Sequence, residues 1–141
     1  MKRLFLVLIS LFSSAAHSDV TIETFCFELS QSSPVKFELR TYYEPASKWS
    51  GGFIKYAKSN VPISIVLTDS QDEILDPQAP WQHTMIWSEI MGGKVTGTYE
   101  LVTQGAQIIS MSYTKKSNGK AYSFMINTSI DSSLETGCTW E

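Results

Sequence analysis

The chain has 141 residues, 43% hydrophobic, 12% aromatic and 18% charged, enough for one modest globular domain. Five Pro, eight Gly and four Trp exclude collagen-like, low-complexity and disordered classes, because such aromatic side chains stabilise a core when buried. Eleven basic and fourteen acidic residues give a net charge of −3, which excludes the basic field that nucleic-acid phosphates need.

Residues 1–18 read as a secretory signal. Lys2 and Arg3 form a charged start, Leu4 to Phe12 is an apolar run, and Ala16 and Ser18 occupy small-residue positions that predict cleavage before Asp19. The apolar run falls far short of the ~20 residues a spanning helix needs. Glu23, Thr24 and Phe25 precede Cys26, so no small-residue box for lipidation is present. The expected address is the periplasm or the extracellular space. The chain 19–141 then carries a net charge of −5, with His83 its only histidine and Arg40 its only arginine.

Two cysteines remain, Cys26 near the start and Cys138 near the end. In an oxidising compartment an even pair predicts a disulfide. Closing so long a loop stabilises a fold by ~4–5 kcal/mol on the chain-entropy account. No C-x-x-C spacing or second histidine points to a metal.

From residue 21 onward the chain alternates on a period of two. Thr21 to Leu29 places Phe25, Phe27 and Leu29 on one face and Cys26 on the other. Ser32-Ser33-Pro34 predicts a turn, and Val35 to Tyr43 sets Val35, Phe37, Leu39 and Tyr43 against Lys36, Glu38 and Arg40. Six further strands are expected at Gly52–Lys58, Ile63–Thr68, Trp81–Ile90, Val95–Val102, Gln107–Thr114 and Ala121–Asn127. Asn60 with Pro62, Gly92-Gly93, Gln104-Gly105 and Asn118-Gly119 separate them with turn chemistry. The expectation is a single all-β antiparallel domain of about eight strands, an up-and-down barrel or a sandwich, with one disulfide.

One connection is expected to be long and polar. Asp69 to Pro80 carries Asp69, Asp72, Glu73 and Asp76 and leads into Trp81. These carboxylates lack the spacing and central glycine of an EF-hand, and nothing marks one of them for the desolvation a glycosidase acid needs. His83 falls on a face with Trp81, Met85 and Trp87 and has no marked catalytic partners. The sequence has no G-x-S-x-G, S-x-x-K or H-E-x-x-H motif and no phosphate-cradling glycine loop. Asn127-Thr128-Ser129 matches a glycosylation sequon, which a bacterial-type signal makes incidental.

Of the four tryptophans, Trp49 stands out in the stretch Tyr43 to Gly52, beside Ser50 and Gly51. A Trp flanked by small residues suits a protein-binding hot spot or a stacking platform. Trp81 is the second candidate. The general plan of signal, small β-domain and Ser-Gly loop is similar to the small periplasmic lysozyme inhibitors. In those proteins a Tyr follows Ser-Gly by three residues, whereas here Ser50-Gly51 leads to Gly52, Phe53 and Ile54 before Tyr56, so no residue role carries over.

These features point to binding rather than catalysis, with no cofactor or metal and no membrane span after signal cleavage. The expected function is a periplasmic or secreted protein-binding module, an inhibitor or immunity protein against a basic envelope enzyme or toxin. The expected binding residues are Trp49, Ser50, Gly51, Asp69, Asp72, Glu73, Asp76 and Trp81. The alternative is a β-barrel carrier of a small ligand.

Overall fold

Alternating sequence becomes a closed ladder in the computed structural model, which describes residues 19–29 and 33–140. The strands are β1 (Thr21–Glu28), β2 (Lys36–Glu44), β3 (Trp49–Tyr56), β4 (Ile63–Glu73), β5 (Gln82–Met91), β6 (Lys94–Gln104), β7 (Gln107–Lys115) and β8 (Ala121–Ile126). Each pairs antiparallel with the next, and β8 pairs with β1, so the sheet closes into a barrel. A small hairpin of β9 (Ser132–Ser133) and β10 (Gly137–Cys138) follows. The fold is the barrel, not the sandwich. The signal reading and Ser32 of the first turn lie outside the described residues.

Inward positions fill the barrel. Phe37 is the hub of an aromatic cluster, with ring centroids 4.8 Å from Phe124, 5.4 Å from Phe27, 5.7 Å from Tyr56 and 5.8 Å from Tyr99. Leu39, Ile54, Ile65, Leu101 and Met111 complete the fully buried core. Outward positions such as Glu100, Ser112 and Ser123 are polar. Among the described residues no helix is long and apolar enough to cross a membrane.

Two boundaries differ from the sequence reading. β4 runs on to Glu73, paired with Gln82, so Asp69, Asp72 and Glu73 are strand residues and the connection spans only 74–81. A bulge at Thr68 shifts the register by one residue and pairing then continues, and beyond it the ladder rises past the packed core, where neither face needs an apolar residue. β3 begins at Trp49, paired with Glu44, so Trp49 opens a strand and is not in a loop. The turn before it holds Lys48 at φ 55°, and the Glu44 carboxylate accepts the Ala46 and Ser47 N–H groups at 2.9 and 2.7 Å. Between β5 and β6 Gly92 and Gly93 both take positive φ, 56° and 73°, as a tight two-residue hairpin requires.

Barrel closure is thin. β1 and β8 share only the pairs Phe27–Ile126 and Glu28–Met125, extended by the Asn127 N–H donating to the Cys26 carbonyl at 2.8 Å. The C-terminal hairpin reinforces this region from outside. The Cys26–Cys138 disulfide joins β10 to β1. Buried Glu38 on β2 accepts the Cys138 N–H at 3.0 Å and forms an ion pair with Arg40 at 2.8 Å. Arg40 also donates to the Leu134 carbonyl at 2.8 Å and lies over the Phe53 ring.

Removing the Arg40 cation leaves the Glu38 carboxylate buried and uncompensated. Arg40→Met is expected to destabilise the protein by ~3–5 kcal/mol, and the double variant Glu38→Gln/Arg40→Met by less. Urea unfolding of the oxidised protein checks both, and equal loss in the two variants would contradict the coupling. Replacing both cysteines by serine is expected to cost a further ~4 kcal/mol, read the same way.

Candidate functional site

An up-and-down meander sends alternate connections to opposite ends of the barrel. Residues 45–48, 74–81 and 105–106 therefore share one end with the start of β1, while residues 57–62, 92–93 and 116–120 share the other. All eight expected binding residues lie at or toward the first end. Two neighbouring hairpins carry them, β2–β3 for Trp49, Ser50 and Gly51 and β4–β5 for the rest.

Their environments differ. Trp49 is 54% exposed on the outer wall, and its indole lies across Gly51, where an added Cβ would sit 2.5 Å from the ring. Ser50 faces inward. Asp69 accepts the Ser70 N–H at 2.9 Å and the Gln71 side-chain amide at 3.1 Å. Asp76 accepts the Gln78 N–H at 2.8 Å, and the Ala79 N–H donates to its carbonyl, so this residue shapes the loop. Gln104 donates to the Pro80 carbonyl at 3.1 Å and anchors the loop to the next hairpin. Trp81 is 51% exposed.

Asp72 and His83 face each other across the β4–β5 ladder, with His83 Nδ1 2.6 Å from the Asp72 carboxylate. Both side chains are about half exposed. Among the described residues no three His, Cys, Asp or Glu side chains come together as a metal site.

Charge is partitioned along the barrel axis. Glu23, Glu44, Asp69, Asp72, Glu73 and Asp76 all lie toward the loop end with Trp49 and Trp81, where Lys48 is the one lysine. The remaining lysines of the described chain, at positions 36, 55, 58, 94, 115, 116 and 120, lie toward the opposite end. Exposed apolar side chains occur at both ends, Val61 and Met91 among those at the lysine-bearing end, but the two exposed tryptophans, Trp49 and Trp81, share the loop end with Tyr43, Ile74 and Leu75. The hydrogen bonds from Ser47, its hydroxyl first, and from the Ala46 N–H hold the Glu44 carboxyl below its ordinary range. That keeps its negative charge in place.

Compared with known protein families, curated proteins and solved structures, this chain matches none.

Inside the loop end the packed core gives way to a cavity of about 320 Å³. Leu67, Met85, Trp87 and Leu101 form its apolar wall. Thr21, Glu23, Thr41, Tyr43 and Ser50 form its polar rim. Of these only Ser50 was singled out by sequence. The signal for the others was the alternation itself, since inward positions of β5 continue from His83 through Met85 and Trp87 to Glu89.

Glu89 is the second feature the sequence reading missed. It is 4% exposed, inside the barrel, and accepts hydrogen bonds from Thr96 at 2.6 Å, Tyr113 at 2.9 Å and Tyr99 at 3.0 Å. The Tyr99 hydroxyl also meets that of Tyr56 at 3.0 Å. Gly97 leaves the space that the Tyr113 ring occupies. Three donors on one buried carboxylate satisfy a group that would otherwise be costly to desolvate. Burial first pushes the Tyr99 and Tyr113 hydroxyls well above the usual tyrosine range, aided at Tyr99 by Tyr56 and then Glu89, and at Tyr113 by Glu89 and then the neighbouring phenols. Burial raises Tyr56 as well.

A raised tyrosine pKa means that above about pH 10 the unfolded chain releases protons the folded chain keeps. Stability is therefore complete below pH 10 and falls above it, by up to ~1.4 kcal/mol per pH unit for each such tyrosine. Urea midpoints between pH 8 and 11.5 are expected to show this decline, with a shallower slope in Tyr99→Phe. A slope unchanged by that substitution would remove Tyr99 from the alkaline transition.

Proposed function

We propose that the protein works by binding, and that its loop end docks on a basic protein partner. The observation that supports this most is the partition of charge: carboxylates and exposed Trp49, Trp81, Ile74 and Leu75 share the loop end, while seven lysines lie toward the other. Large aromatic side chains supply the desolvated contact that dominates interface energy. Surrounding carboxylates steer a positively charged partner and orient its approach. The lysine-bearing end repels the same partner, so a productive encounter presents the loop end first.

A periplasmic or secreted address, read from the first eighteen residues, brings basic cell-wall hydrolases and delivered toxins within reach of such a surface. The inhibitor or immunity role follows if docking covers the partner's substrate cleft. The Cys26–Cys138 disulfide suits an oxidising compartment.

The test is binding of the oxidised protein to a panel of basic lysozymes and envelope hydrolases, measured by surface-immobilised kinetics. Association with the cognate partner is expected to slow by about tenfold between 20 and 300 mM salt. Asp72→Lys/Glu73→Lys should slow association to a similar extent, while Trp49→Ala or Trp81→Ala should speed dissociation by about tenfold or more. A partner that binds with no salt dependence and ignores all four substitutions would overturn the loop-end assignment.

A further inference from the structure

The loop-end cavity carries an inference that does not depend on the docking partner. An eight-stranded barrel is just wide enough for its own side chains to fill or for one small ligand to enter. Here the half around Phe37 is filled, and the half around Trp87 is not. Its volume of about 320 Å³ reaches the low end of small-molecule sites, which span ~300–1,000 Å³.

Two features show that the cavity is unfinished by the protein alone. Trp87 forms part of its wall at 3% exposure, and its indole N–H has no acceptor in the protein. Buried indole N–H groups ordinarily find a partner, and leaving one unpaired costs stability. Leu67 and Met85, both only partly buried, also line a space open to solvent at its rim.

Charge sets what can enter. Glu23 is the one carboxylate among the lining residues, which include no Lys, Arg or His, and the carboxylates of Glu44, Asp69, Asp72, Glu73 and Asp76 lie toward the same end. An anionic lipophile such as a fatty acid would place its carboxylate against this field. A cationic head would complement it, and its apolar body would cover Leu67, Met85 and Leu101.

We propose that the loop-end cavity is a binding site for a small amphiphile, with its apolar body against Leu67, Met85, Trp87 and Leu101 and a cationic head at Glu23. An acceptor atom in the ligand, or a water it traps, satisfies the Trp87 N–H. The site selects by charge at its rim and by volume at its floor.

The test uses three probes of one skeleton, octylamine, octan-1-ol and octanoate, titrated into the oxidised protein by calorimetry at low salt and followed by indole emission. Octylamine is expected to bind about tenfold or more tighter than octanoate, with octanol between them. Glu23→Gln, at an exposed position, should bring the amine and the alcohol within about threefold of each other. Leu67→Phe should shrink the floor and weaken all three by about tenfold, with folding confirmed by thermal melting. In Trp87→Phe the emission response should vanish while binding heat persists. Absence of heat with every probe, octanoate binding as tightly as octylamine, or full affinity in folded Leu67→Phe would each overturn the proposal.

Discussion

Closure of the β1–β8 seam is the constraint on which the rest of this molecule depends. Neighbouring strands elsewhere pair over as many as ten residues, whereas this seam pairs over two. An open seam would leave two edge strands and release the enclosed core to water. The chain supplements the short ladder from outside, where Cys138 is bonded to Cys26 and the hairpin is pinned by Glu38 and Arg40. These two fastenings act on different states. The disulfide restricts the unfolded chain, and the ion pair holds only in the folded one.

Side-chain volume divides the closed interior into two halves. Toward the lysine-bearing end the inward positions are Phe27, Phe37, Tyr99, Tyr113 and Phe124, large enough to meet across the barrel. Toward the loop end they include Thr21, Thr41, Ser50 and Ser70, too short to do so. The cavity is the geometric result of that change in residue size at constant strand number. Glu89 belongs to the filled half, where four hydroxyls form one network with it or through it. Such a network gives the filled half a specific packing that apolar residues alone would leave less uniquely defined.

The barrel was legible because a half-buried strand writes its two faces into alternate residues, and all eight strands did so over their packed lengths. Legibility failed where that cause stopped. Past Leu67 both faces of β4 meet water, so Asp69 to Glu73 carries no alternation and reads as a loop although it is paired. Trp49 read as a loop residue because Gly51 and Gly52 after it have no side chains with which to show a face. The pairing of Cys26 with Cys138 followed from counting, but the role of Arg40 did not. Its partners, the Ser133 and Leu134 carbonyls and Glu38, involve backbone atoms and a distant hairpin that composition cannot register.

Charge partition was present in the sequence yet invisible to net charge. In a meander, successive connections alternate between ends, so every second connection and the strand ends beside it contribute to one pole. Summing along the chain cancels what the fold separates: carboxylates near 44 and 69–76 go to one pole, lysines near 58, 94 and 115–120 to the other. A modest negative total thus conceals an uneven charge distribution, offset in part by Glu28, Glu38 and Glu89 toward the lysine-bearing end, whose effect is greatest at distances within a Debye length, ~8 Å at physiological salt. Directionality matters because the cavity opens at the negative pole. A field that only attracted cations would serve any acidic surface. One that attracts them toward an apolar wall would, on the proposed reading, select molecules that are both cationic and lipophilic, and the same end exposes Trp49 and Trp81. Docking there would cover the cavity's rim, so a bound amphiphile and a bound protein would contend for Glu23 and Tyr43 in one shared space.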